Sequence, residues 1–183
     1  MRKARADALK ISVTGPQGSG KTTQAKLLAD FLGLPMISTG EILRQKSLEN
    51  NEIGKEIKSS VDKGEMVNDE IVHRLIGEKI NEVKNGFVMD GYPRSLGQLD
   101  HLDPHFDKVF YLEINDDLVK VRLLKRGRAD DSPEIIAERL ELYHQLTEPL
   151  LLRYKDQGIL QIIDGSGSID EIQNSIREKL NES

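Results

Sequence analysis

No cysteine occurs in these 183 residues, which excludes disulfides, thiolate catalysis and any cysteine-ligated zinc site, and with them several enzyme classes. A long apolar run is also missing: no segment approaches the ~20 residues needed to cross a bilayer, so no membrane partner is expected. The first ten residues, MRKARADALK, are basic but lack the apolar core of roughly 7 to 15 residues that a signal peptide requires. A solvated tail over 1–8 and a cytoplasmic location are expected. Positive charge is short overall as well. The net charge of -5 gives no reason to expect nucleic acid or an anionic surface as partner, so any anion site has to be local. There is no low-complexity tract and no long block of like charge, and residues 9–183 are expected to form a single domain, acting as a monomer. Of the four histidines, His101 and His105 are spaced i,i+4, but Pro104 between them opposes the regular helix that would put both rings on one face; no metal role is assigned to them.

What the chain does have is alternation. Five short apolar segments read as buried strands: Leu9–Thr14, Pro35–Ile37, Gly86–Asp90, Lys108–Ile114 and Ile159–Ile163, with helical patterns between them. Near-continuous apolar strands separated by helices predict an α/β fold in three α/β/α layers, a five-stranded parallel sheet flanked by helices. Helix starts are marked by two capping-box sequences, STGE at 38–41 and SIDE at 168–171, and by Ser132 ahead of Pro133. From Pro133 to Tyr154, the residues Ile136, Leu140, Tyr143, Thr147, Leu151 and Tyr154 recur at helical spacing and predict one long amphipathic helix.

The most specific stretch is GPQGSGKTTQ at 15–24, between the first predicted strand and a helix. Gly15, four residues, then Gly20-Lys21-Thr22 satisfy the Walker A spacing. In such a loop, running here through Gly18, Ser19 and Gly20, glycines let successive backbone N–H groups point inward. The helix that follows adds roughly half a positive charge at its N-terminus, and Lys21 reaches the outer phosphates. A dinucleotide fingerprint fits worse, because its third glycine would fall where Thr23 stands. The expected ligand is a nucleoside triphosphate with magnesium, bound through Thr22 or Thr23 and through carboxylates at strand ends.

A triphosphatase needs little more. A kinase needs a second anion site facing the first, to hold a phosphorylated acceptor in line against electrostatic repulsion. STGEILR at 38–44, GFVMDGYPRSLGQ at 86–98 and RLLKRGRADD at 122–131 offer the groups for one. Together with the phosphate loop, these ordered motifs resemble the adenylate kinase family of nucleoside monophosphate kinases, from about Leu9 to the C-terminal helix. GEMVNDEIV at 64–72 and YHQLTEPLLLRY at 143–154 resemble that family's connecting segments.

The resemblance implies a P-loop NTPase fold with a core of residues 9–37 and 68–183, a monophosphate-binding lobe at 38–67, and the reaction ATP + AMP ⇌ 2 ADP. It also implies roles. Thr39 would face the acceptor's base, and Arg44, one turn on, would grip the acceptor phosphate. Asp90 would hold magnesium or its waters, Gly91 would permit close backbone approach, Pro93 would stiffen the turn, and Arg94 would add a second cation. The Gln98 amide would match the edge of adenine, and Glu65, Met66, Val67 and Tyr92 would complete the acceptor site. Pyrimidine monophosphate kinases resemble the same plan but usually carry alanine at the position of Thr39 and asparagine at that of Gln98, so AMP is the expected acceptor.

Arg122 and Arg126 lie four apart on a helix predicted to begin near Asn115, and so share a face. Arg128 follows at once and Arg139 lies on the next helix, with Asp130 and Asp131 placed to orient guanidinium groups. By resemblance, Arg122 would lie against the donor base and Gly167 would offer that base a backbone contact. Arg126 and Arg128 would neutralise the transferring phosphoryl group and Arg139 would bridge both phosphates, so that Lys21, Arg94, Arg126, Arg128 and Arg139 form the catalytic set. The family usually has glycine where Thr22 stands, and Thr22 is therefore expected to ligate magnesium directly. The family's mobile lid is reduced to Gly127 between Arg126 and Arg128, a vestige at 126–131, and a partly open donor site with relaxed choice of triphosphate base is expected. Two other readings stay open: a kinase for UMP/CMP or dTMP, and a nucleotide-binding assembly factor that hydrolyses slowly and has no use for Thr39, Arg44, Arg94 and Gln98 together.

Overall fold

The computed structural model describes residues 9–128 and 131–181; the basic tail at 1–8 and Asp130 fall outside them. The strands β1 (Lys10–Thr14), β2 (Met36–Ser38), β3 (Phe87–Asp90), β4 (Lys108–Glu113) and β5 (Leu160–Asp164) form one parallel sheet in the order β2-β3-β1-β4-β5. Side chains of a strand alternate between its faces, and β3 shows the result. Phe87 and Met89 enter a core with Val72, Leu75 and Ile76 of α4 (Asp69–Glu82) and Leu99 of α5 (Leu96–His101). Val88 joins Ile11 and Val13 on the other face, under Leu28 of α1 (Lys21–Leu32) and Ile176 of α9 (Ile169–Asn181). The expected three layers are therefore present.

From β1 the chain crosses first toward β2 and later toward β4, so the strand order reverses at the centre of the sheet. In open parallel sheets the crevice at such a point, beyond the carboxyl ends of the strands, is where ligands bind. Two helical hairpins rise beside it. One is α2 (Thr39–Lys46) with α3 (Glu52–Lys63), where the Asn51 side chain accepts the Gly54 N–H at 2.8 Å and caps α3. The other is α6 (Asp116–Arg126) with α7 (Pro133–Leu142), packed through Val119, Leu123, Ile136 and Leu140. Among the described residues no helix is long and apolar enough to cross a membrane.

Two local expectations are corrected. The helix expected from Pro133 to Tyr154 is interrupted by a π turn over Tyr143–Thr147, before α8 (Glu148–Asp156). Pro149 has no N–H to give and its ring crowds the carbonyl four residues back, so a widened turn replaces the regular one. The STGE sequence does not form a capping box, because Ser38 makes no side-chain cap bond to α2. Strand register sets Ser38 beside Asp90, and its hydroxyl donates to that carboxylate instead. SIDE does form one: the Ser168 N–H donates to Glu171 Oε2 at 2.8 Å, and Ser168 Oγ accepts the Glu171 N–H at 3.3 Å.

Gly54, buried in the first turn of α3, has the carbonyls of Lys46 and Glu49 where a Cβ would go. Gly54→Ala gains roughly 1 kcal/mol of helix propensity but overpacks a buried contact at a cost of about 1 to 3 kcal/mol. A lower midpoint in denaturant unfolding is expected; an unchanged or higher one would contradict this account of the α2–α3 hairpin.

Candidate active site

β1 ends at Thr14 and the chain turns through residues 15–20 into α1. That helix starts at Lys21, with Gly20 at the cap position giving no side-chain cap and no acidic residue in its first turn, which leaves its first amides available to an anion. Gly18 has φ +84°, and a Cβ there would come within 2.9 Å of Leu123 Cγ, so both backbone and packing demand glycine. Lys21 Nζ donates to the Pro16 carbonyl at 3.2 Å. Burial pushes the Lys21 ammonium down to about 8, opposed by Asp90 and assisted by Arg94, Arg126 and Arg44.

Asp90, the last residue of β3, lies in register with Val13 of β1 and Ser38 of β2. Its Oδ2 accepts the hydroxyls of Thr22 and Ser38, each at 2.8 Å. Its Oδ1 is buried and has no hydrogen-bond partner among the described residues. A buried carboxylate oxygen left unpaired is what a cation or its bound water would satisfy, so Asp90 with Thr22 beside it fits magnesium. No group of three or more His, Cys, Asp or Glu gathers among the described residues, which suits an ion that keeps waters and phosphate oxygens as ligands.

Opposite the loop, Thr39 is 2% exposed and its Oγ1 is buried without a hydrogen-bond partner among the described residues. Arg44 folds back over Gly40, where a Cβ would meet its Nη1 at 3.1 Å. Arg94 donates through Nε to the Gly91 carbonyl at 3.0 Å, and its own carbonyl accepts Thr147 Oγ1 at 2.8 Å. Burial lowers the Arg94 guanidinium from its ordinary value, opposed by Asp90 and reinforced by Arg139 and Arg44, yet an arginine stays protonated. The Arg94 N–H donates to Gln98 Oε1 at 2.8 Å, and Gln98 Nε2 donates to Asp69 Oδ1 at 2.7 Å.

The α6–α7 hairpin is organised by Asp131, whose side chain is 1% exposed. It accepts Arg126 Nε at 2.8 Å and Nη2 at 2.6 Å, and the Arg128 N–H at 3.1 Å, with Arg139 Nη1 3.8 Å away. Burial pushes this carboxyl up, but the Arg126 hydrogen bonds, the Arg128 N–H and the charges of Arg126 and Arg139 outweigh it and hold the group below its usual range. Arg139 Nη2 also donates to the Val61 carbonyl at the end of α3, at 3.3 Å. Arg122 ties the phosphate loop to the turn after β5, donating to the carbonyls of Gly165 at 2.9 Å, Ser166 at 3.3 Å and Ser19 at 3.5 Å.

All of this surrounds one cavity of about 410 Å³. The residues expected at the site line it, with three exceptions. Ser19 is wholly buried beneath the loop. Tyr92 sits in the core and donates its hydroxyl to the Gln98 and Leu102 carbonyls. Gly167 lies beside Glu171 and outside the cavity lining. Sequence reading missed Ser38, Asp69 and Thr147. STGE hid the first as a cap, and helical periodicity counted Thr147 as packing; no local signal marks Asp69.

A phosphate loop after a parallel strand, faced across a shared cavity by a second set of arginines, defines a class: the P-loop nucleoside monophosphate kinases. The family model described as adenylate kinase matches residues 13–159. The adenylate kinase of Bifidobacterium longum is 42% identical over 181 aligned residues, covering 92% of this chain and 97% of that protein. The adenylate kinase of Micrococcus luteus is 40% identical over 176, covering 89% and 86%, and that of a Prochlorococcus marinus strain 37% identical over 173, covering 91% and 95%. The chain belongs to the adenylate kinase family.

Because the Lys21 ammonium is pushed down to about 8, it loses its charge as pH rises through that value. ATP affinity of the free protein is therefore expected to weaken between roughly pH 7 and 9.5, approaching tenfold per unit on the alkaline side. Calorimetric titration reads this directly, and a flat profile would show that Lys21 carries no such shift.

Proposed function

We propose that this chain, a nucleoside monophosphate kinase by family, transfers the terminal phosphoryl group of ATP to AMP, reversibly and with magnesium, giving two ADP. The supporting observation is the charge of one cavity. Among the described residues, seven Lys and Arg side chains line it against two acidic ones, Glu65 and Asp90, in a chain whose net charge is -5. A triphosphatase or an assembly factor needs cations at the phosphate loop only. Here Arg44 stands on α2 and Arg94 in the loop after β3, with Thr39 and Gln98 also lining the cavity, as an acceptor site requires.

In this reading Lys21 and the first amides of α1 hold the outer phosphates of ATP, while Arg44 and Arg94 hold the phosphate of AMP. Arg126, Arg128 and Arg139 cover the group in transit, where one arginine acting as a finger can supply ~10³ to 10⁵ in rate. Asp90, with Thr22 adjacent, would hold magnesium, which would supply neutralising charge to the donor phosphates. No covalent intermediate is required: the two oxygens are set in line and the negative charge is balanced by fixed cations. The lobe at 38–67 carries Thr39 and Arg44 on one short helix, so its placement decides whether the acceptor is aligned. Adenine is favoured at the acceptor by Thr39 and Gln98.

The donor base is held differently. Arg122 spends guanidinium hydrogens on three carbonyls and leaves its planar face for a base, a surface that stacks without reading any base edge. Only Gly127 separates Arg126 from Arg128, which leaves little chain to cover the base.

A coupled assay of ADP formation from ATP against AMP, UMP, CMP and dTMP is expected to favour AMP by about 10² in kcat/KM. Tight uptake of ATP with no transfer to any monophosphate would overturn the reading. With AMP as acceptor, GTP is expected to serve within about tenfold of ATP, and discrimination far beyond that would contradict the open donor site.

A further inference from the structure

A glutamine amide does not by itself choose a base. Its oxygen and nitrogen have nearly the same shape, and a half-turn about the last side-chain bond exchanges acceptor for donor. At the acceptor site an adenine presents an N–H donor on its 6-amino group beside the acceptor N1. A 6-oxopurine, hypoxanthine or guanine, presents the reverse: an acceptor at O6 beside a donor at N1. A glutamine free to rotate would satisfy either. Preference for adenine at Gln98 therefore needs something that holds the amide one way round.

We infer that Asp69 is that element: a positioning residue that pins the Gln98 amide in the one orientation complementary to a 6-aminopurine. The inference rests on the acceptor site being the one described above. Asp69 is the first residue of α4, and the capping bond of that helix is made by its neighbour Asn68, whose side chain accepts the Glu70 N–H at 2.9 Å. The Asp69 carboxylate is left for another use. Its Oδ1 accepts Gln98 Nε2 at 2.7 Å, from outside the residues that line the cavity. On the other side of the amide, Gln98 Oε1 accepts the Arg94 N–H at 2.8 Å. Gln98 is 1% exposed, and its own N–H is tied to Ser95 Oγ at 3.1 Å, so neither backbone nor solvent offers another arrangement.

Both bonds demand the same orientation. A flipped amide would set Oε1 against a carboxylate and Nε2 against a backbone N–H, losing two hydrogen bonds and gaining two repulsions. In the pinned state the amide keeps one N–H and one lone pair uncommitted. Adenine takes both, its N1 accepting the N–H and its amino group donating to the lone pair. A 6-oxopurine in the same pose would set oxygen against oxygen and N–H against N–H. Unpaired polar groups in a buried site are what give strong discrimination. Asp69 can force the choice because an ionised carboxylate only accepts, and cannot adapt to a flipped partner.

That property dictates the test. Asp69→Ala removes the pin. Asp69→Asn keeps the size, the helix start and a hydrogen bond, but its amide can pair with either orientation of Gln98. Initial rates with ATP and either AMP or IMP give the ratio of kcat/KM for the two acceptors. Both variants are expected to lose about tenfold of the AMP preference, the equivalent of one hydrogen bond, since the Arg94 N–H still holds the other side. Much of the change should come from a lower KM for IMP, with the thermal midpoint of Asp69→Asn near that of the unaltered chain. If Asp69 only supports the fold, AMP and IMP rates fall together, the ratio stays put and the inference is overturned. If the unaltered chain transfers nothing to AMP, the reading of function falls and this inference with it. If AMP is used but Asp69→Asn keeps the full preference, this inference alone fails.

Discussion

Lys21, Arg44, Arg94, Arg126 and Arg139 converge on one cavity, and their mutual repulsion is the constraint on which the rest of the architecture depends. Burial already drives the Lys21 ammonium down to about 8, with three arginines pushing the same way. Left to themselves these side chains would swing into solvent, where each charge is screened and its rotamer entropy is recovered. What keeps them in place is a small number of buried carboxylates and backbone carbonyls, some of which also tie one element to another. Asp90 at the end of β3 takes hydroxyls from α1 and β2. Asp131 takes Arg126 from α6 and the N–H that follows the hairpin bend. Arg122 finds three carbonyls and Arg94 one. The sheet's central crossover brings these groups to one end, so fold and charge arrangement cannot be separated.

The parts of this that could be read along the chain are those whose physics is local. Apolar strands of four to six residues between helical patterns place four of the five strands nearly to the residue, and β2 is shorter but still found. The glycine spacing of the phosphate loop is local as well, since turn, helix start and lysine fall within one short stretch. Arginines are readable because a charged side chain in a motif has few structural alternatives. What could not be read are bonds set by tertiary register. Thr22 meets Asp90 across 68 positions, and Gln98 meets Asp69 across 29. No pattern in either segment specifies its partner.

Ser38 and Thr147 make the same point from the other side, because each carried a local signal that tertiary structure overruled. Ser38 opens a sequence that satisfies the capping box, yet parallel pairing of β2 with β3 delivers a buried carboxylate to its hydroxyl, and a charge-assisted bond there is stronger than a cap. Thr147 fits a helical stripe with Leu140 and Tyr143. The π turn before Pro149 places its hydroxyl under the Arg94 carbonyl, so a position that counts as packing in the periodicity becomes a support for Arg94. Local rules fail here where the chain approaches the site, which is the expected place for them to fail.

The Arg139 side chain, 8% exposed, joins the two hairpins that flank the crevice: it reaches Asp131 on one side and the Val61 carbonyl at the end of α3 on the other. Asp131 in turn grips Arg126. Arg126 is thus positioned through a carboxylate that also lies beside Arg139, so cations of the two hairpins share one support. Fixed in this way, the cations would need little reorganisation to meet anionic groups.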